Sequence, residues 1–281
     1  MFFVLGLAFV SCFLPVISIL TVFVSGSMQK ACRRFEKVLL RILNEFTSEE
    51  RSEFFFYCKK SFPISSEDEK KQMLALFRDL QENHIISPSN VSFMKEFTDT
   101  IYRLDLTNIL MEYESEVEVA MILEEYADIR DGNPNLDRQE LSATQAISKD
   151  LSRNFRDGQL LTDMAKLTRS RSIEEAVNMH TNRILVQGEM CWPSVLEILG
   201  FSSELAYRRM CFHPGPSKFH RWLSDIDAIF PVLRETIVPW MAQNGGAAGC
   251  AKFIGRQDPK NLARDKEIEA LITEFTQQYT H

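Results

Sequence analysis

The chain lacks the markers of several protein classes. Its six cysteines, Cys12, Cys32, Cys58, Cys191, Cys211 and Cys250, include no Cys-x-x-Cys pair. That excludes the paired knuckles of a zinc ribbon, and the scatter fits a reducing compartment better than a disulfide framework. There is no basic excess: the net charge is −7, which speaks against broad nucleic-acid binding. No glycine-rich phosphate loop ends in Lys-Ser/Thr; the run Gly245-Gly246-Ala247-Ala248-Gly249 lacks both that lysine and a preceding strand. No segment alternates with the period of a strand. Nor is the chain poor in apolar residues: at 45% hydrophobic and 25% charged it has the composition of a folded protein rather than a disordered one.

What charge there is sits unevenly. Residues 28–114 hold 13 Lys/Arg and 15 Asp/Glu, residues 115–150 hold 3 and 9, and residues 151–281 hold 16 and 15. The acidity gathers between two nearly neutral halves, so a segment boundary is expected there. We therefore divide the chain into residues 1–27, 28–114, 115–135 and 136–281.

Residues 1–27 contain no charged side chain, and Phe2 to Val24 is almost wholly apolar. As a helix this run reaches about 35 Å, enough for a bilayer core of about 30 Å. The basic residues Lys30, Arg33, Arg34 and Lys37 follow, which by the positive-inside tendency would leave residues 28–281 in the cytosol. Three readings stay open: a membrane anchor through residues 2–24, a signal peptide ending near Gly26, or an over-extended start with Met28 as the true first residue.

From Gln29 onward the apolar residues recur at helical spacing. Phe35, Val38, Leu39, Ile42, Leu43 and Phe46 mark a first amphipathic helix. Thr47-Ser48-Glu49-Glu50 reads as a capping box that opens a second, with Thr47 as N-cap and Glu50 three residues on. This second helix carries Phe54-Phe55-Phe56-Tyr57-Cys58. At about 100° per residue, Phe54, Tyr57 and Cys58 share a side and Phe56 points away, so Phe56 is exposed unless a neighbouring helix or a partner covers it. Pro63 lies in a loop or a short extra element, and Ser66-x-x-Glu69 reads as a second capping box. Further helices carry Met73, Leu76, Phe77 and Leu80, then Phe93, Met94, Phe97 and Ile101. Asp105 is expected to N-cap a last helix with Leu106, Ile109, Leu110 and Tyr113.

Ser48-Glu49-Glu50, Phe54 to Cys58, Leu76-Phe77-x-x-Leu80, Ile86-Ser87-Pro88 and Arg103-x-Asp105-Leu106 stand in one register. In that combination residues 30–114 resemble a death effector domain of the death-fold superfamily. The resemblance implies an all-α, six-helix antiparallel bundle. It also implies a charge triad, Glu50 with Arg103 and Asp105, in which an arginine between two carboxylates makes bonds that lysine could not copy. Phe56-Tyr57 falls where the family has a Phe-Leu pair that contacts a partner; tyrosine departs from that pattern. The partners implied are other death effector domain proteins, adaptors and initiator caspases, or a second copy of the chain.

Past Glu114 the helical spacing continues through Val119, Ile122, Leu123 and Tyr126, with Glu116, Glu118, Glu124 and Glu125 expected on a solvated face. Asp131-Gly132-Asn133-Pro134 breaks it. Residues 136–281 then read as a second helical bundle of no recognised family. Helices are expected over 136–156, 160–168, 173–186, 194–199 and 202–211, over 219–240 with breaks at Pro231 and Pro239, and from Asp258 to Tyr279. Cys191, Cys211, His213 and His220 read better as buried thiols and loop histidines than as zinc ligands, and no metal or cofactor is assigned. The run Arg153, Arg156, Lys166, Arg169 and Arg171 reads as a solvated face. A caspase domain would be the obvious enzyme here, but its Gln-Ala-Cys-Arg-Gly motif is absent. The expectation is a non-enzymatic adaptor or regulator of apoptotic signalling with Glu50, Phe56, Tyr57, Arg103 and Asp105 as binding residues. The alternatives are an inhibitor of such assemblies, or an enzyme or ligand-binding bundle in residues 136–281.

Overall fold

The computed structural model describes residues 34–59, 69–132, 141–155, 165, 172–212 and 217–255. The apolar run 2–24, the second capping box at Ser66, the helix expected at 160–168 apart from Ala165, most of the basic run and the helix expected from Asp258 lie outside these. Among the described residues there are eleven helices and no strand, and no helix is long and apolar enough to cross a membrane. The chain divides into two units, Met1–Val117 and Glu118–His281.

The first unit contains α1 (34–45), α2 (Ser48–Lys59), α3 (Glu69–Glu82), α4 (Ser92–Thr100) and the first half of α5 (Leu104–Arg130). A sixth element expected near Pro63 falls outside the described residues. The capping box at α2 forms as its spacing requires: Glu50 N donates to Thr47 Oγ1 at 3.2 Å, and Thr47 N donates to Glu50 Oε2 at 2.7 Å. The core is aromatic. Phe54 is fully buried, with its ring centroid 4.7 Å from that of Phe97, 5.7 Å from Phe77 and 6.0 Å from Phe46. Burying one such ring contributes about 1.5–3 kcal/mol, and the offset and edge-on contacts add to that. Tyr113 closes the unit by donating its hydroxyl to the Pro88 carbonyl at 2.8 Å.

In the second unit the rest of α5 buries Val119, Ile122, Leu123 and Tyr126. It is joined by α6 (Ala143–Phe155), α7 (Ile173–Gln187), α8 (Trp192–Cys211), α9 (Ser217–Thr236), α10 (Val238–Gln243) and α11 (Gly246–Ile254). The central helix is α8, packed on by α6, α7 and α9 and buried along most of its length.

Three expectations about this unit are corrected. Residues 194–211 form one helix rather than two, because Gly200 is a packing point: a Cβ there would lie 2.0 Å from the Phe155 ring. Helix α9 runs through Pro231, since Pro231 and Asp227, whose carbonyl would have been its partner, both face outward. The acidic face of α5 is not merely solvated. Glu118 accepts from Ala247 N at 2.8 Å, and Glu125 accepts from the Thr144 hydroxyl at 3.1 Å; in the first unit, Glu116 pairs with Arg34 at 2.6 Å. Glu118 thereby meets the positive end of α11. Gly246 there adopts φ +59°, and a Cβ would lie 2.5 Å from the carboxylate, so this glycine serves close approach.

Candidate interaction surface of the first unit

The surface is built on the short turn between α4 and α5. Helix α4 ends at Thr100, Arg103 N donates back to Thr98 O at 2.9 Å, and Tyr102 takes a left-handed φ of 58°. The Arg103 carbonyl then accepts from Leu106 N and Thr107 N, both at 3.0 Å. Arg103 is therefore the residue that flanks the helix start, which corrects the expectation that Asp105 would be the N-cap. Asp105 sits one residue inside α5, where its charge still favours the helix end.

The Arg103 side chain joins three elements. Its Nη1 donates to both Glu50 oxygens at 2.8 Å and to the Glu45 carbonyl at 3.2 Å. Its Nε and Nη2 donate side-on to Asp105 at 2.9 and 2.8 Å. This is the two-carboxylate clamp that arginine's planar fork permits. The Asp105 carboxyl is held down at about 2, first by its hydrogen bonds from Arg103. For Glu50 burial acts in the opposite sense, but the bonds from Arg103 and from Thr47 N overcome it and the carboxyl lies below its usual range. Asp105 and then Glu50 raise the Arg103 guanidinium. Glu50 thus serves both the capping box and the triad.

Beside the triad lies a groove of about 660 Å³, lined by Phe56 and Tyr57 from α2, Ile101 and Tyr102 from the turn, and Glu50 and Glu53 along α2. Phe56 is 67% exposed, while Phe54 and Cys58 on the other side of the helix are fully buried. Tyr57 behaves differently. Its ring packs 5.4 Å from both Phe93 and Phe97, so it lines the groove without standing out from it. Burial, and then the Glu96 carboxylate, push its phenol up. The structure thus brings Glu50, Arg103 and Asp105 into one cluster and sets Phe56 and Tyr57 beside it. Sequence reasoning passed over two neighbours, Tyr102 at 87% exposure and Leu104 at 66%. Their position beside the arginine was visible; the left-handed turn that pushes Tyr102 outward was not.

The second unit offers no comparable arrangement for a metal at the residues weighed from sequence. Cys191 and Cys211 are exposed rather than buried, because they stand at the two ends of α8. A helix of that length spans about 30 Å, so the two thiols cannot share one ion. His220 is also exposed, and His213 lies outside the described residues.

Helices packed on an aromatic core, with an arginine clamped between two carboxylates beside an exposed aromatic, define a death-fold interaction module. The family model of the death effector domain matches residues 35–116. The match covers well under half of the chain, and no curated protein matches it. The first unit therefore carries a death effector domain, a protein-interaction rather than a catalytic domain.

Proposed function

We propose that this chain is a non-enzymatic adaptor or regulator of apoptotic signalling that assembles through like-with-like contacts of its death effector domain. The observation that carries the reading is the exposure of Phe56 at the edge of a groove whose rim is acidic. A phenylalanine two-thirds open to water costs solvation unless a partner covers it, and aromatic anchors of this kind dominate interface energies. The groove's charge selects the partner's chemistry: Glu53, with the net negative Glu50–Arg103–Asp105 cluster beside it, favours a basic, apolar helix face. Helix α1 presents such a face, with Leu40 46% exposed between the exposed Lys37 and Arg41. A second copy of the module, or another death effector domain with the same face, supplies the complement. Because the groove and the α1 face are different patches, their pairing is head-to-tail and extends beyond a dimer.

Sedimentation of the full chain over a concentration series tests this. Wild type is expected to associate, and Phe56→Asp to remain monomeric with unchanged helix content. Association of Phe56→Asp at the wild-type concentration removes the reading.

A further inference from the structure

We infer that Tyr102 is a second contact residue of the groove, held for a partner and not for the fold. The inference rests on the proposed docking of a second copy at the Phe56 groove. The end of α4 needs a left-handed residue at position 102, because only that geometry lets Arg103 N reach back to the Thr98 carbonyl at 2.9 Å. Such a position favours glycine or asparagine, since a Cβ is crowded there. A tyrosine brings strain and gains no packing in return: φ is 58° and the residue is 87% exposed. The turn explains the backbone conformation but not the aromatic ring.

The ring's place supplies the reason. Tyr102 lines the groove from the turn and Phe56 lines it from α2, so two exposed aromatics enter one concavity from different elements. The turn that carries Tyr102 is fixed on both sides. Tyr102 N donates to Asp99 O at 3.1 Å, and the next residue, Arg103, is clamped to Glu50 and Asp105 at 2.8 Å each. The ring is thus presented on a pinned backbone, and a tyrosine with only two side-chain torsions loses little freedom on contact. A leucine flanked by lysine and arginine, as on α1, suits such a pair: the aliphatic group enters between the rings, and cations near an aromatic face are favoured.

The test sets stability against association in the full chain, with Phe56→Asp as reference. Tyr102→Asn is expected to leave the melting temperature unchanged or raised, because asparagine tolerates the left-handed turn, and to weaken self-association about tenfold or more. Tyr102→Phe keeps the ring and is expected to associate within about threefold of wild type. If Tyr102→Asn associates like wild type while Phe56→Asp does not, the inference falls and the groove reading stands. If Tyr102→Asn melts lower as it loses association, the residue serves the fold and the inference falls. A monomeric wild type, or wild-type association by both variants, overturns the groove reading itself.

Discussion

The two units solve the burial of charge in opposite ways. In the first, the ionic cluster of Glu50, Arg103 and Asp105 stays at the surface, and Asp105 is 61% exposed; among the described residues there, Glu116 alone of the charged side chains is buried. Its core is held by rings around Phe54. In the second unit the central helix α8 buries three charged residues, and each reaches a different helix. Glu204 accepts from the Tyr126 hydroxyl and pairs with Arg130 of α5 at 3.0 Å. Arg209 donates to Asp225 of α9 at 3.0 and 3.2 Å. Glu197 lies 3.7 Å from His180 of α7, a packing contact and not an ion pair at neutral pH, since burial keeps that imidazole unprotonated. An apolar core tolerates repacking as long as volume and pattern are kept, so the first unit can vary its surface while its fold persists. A buried charge left unpaired is far more costly, so the second unit's helices are tied to one arrangement.

Acid should separate the two units most strongly. Burial, and then the nearby Arg183, hold the His180 imidazole down at about 3. The unfolded chain therefore takes up this proton near pH 6.5 and the folded chain only near pH 3. Stability present above about pH 6.5 is lost as pH falls through that window, by about 5 kcal/mol at most. Glu125, Asp128 and Glu204 oppose the loss, because burial pushes their carboxyls up. In the first unit Asp105, held at about 2, withdraws its support only below about pH 4. All three tryptophans, Trp192, Trp222 and Trp240, lie in the second unit. Their fluorescence should therefore report acid unfolding at a higher pH than helix loss in residues 34–117, and His180→Gln should flatten that dependence.

Glu204→Ala strips one partner from a buried cluster and should cost the second unit about 3–5 kcal/mol, read as a lower denaturant midpoint by the same fluorescence. Arg103→Ala makes the equivalent cut in the first unit. Its side chain is 22% exposed and water screens the carboxylates it leaves, so the expected cost is about 1–3 kcal/mol, measured as melting of the first unit's helices. Equal losses for the two variants would break the contrast between a surface and a buried cluster. Smallest of all is the effect of Phe56→Asp on stability, within about 0.5 kcal/mol, since two-thirds of that residue is already open to water. A larger loss would show that Phe56 belongs to the core.

Features that depend on neighbours three or four residues away could be read from the chain. Thr47 and Glu50 cap one another because their separation is that of one helical turn. Phe56 emerges opposite Phe54 and Cys58 because the helical angle puts it there. Misreadings arose where the deciding partner is remote. Gly200 looks like a helix break until Phe155 is placed against it. Glu118 looks like a solvated charge until Ala247, 129 residues on, donates to it. Asp105 misleads for a local reason instead: the main chain of Arg103, two residues back, takes the cap position and the arginine side chain claims the carboxylate. Tyr57 keeps to its helix phase: it lies on the side of Phe54 and Cys58, where Phe93 and Phe97 pack against it.

By itself the sequence determined that the chain is helical, where α2 and α7 start, and that residues 35–116 are a death effector domain. Periodicity, caps and short motifs are local, and local hydrogen bonding is enough to impose them. Only the tertiary structure decided that Glu50 and Arg103, 53 residues apart, meet at 2.8 Å, that Phe56 and Tyr102 face one groove, and that α8 carries its charges into the core. Each of these depends on desolvation and on a partner brought close by packing, and no spacing along the chain encodes either.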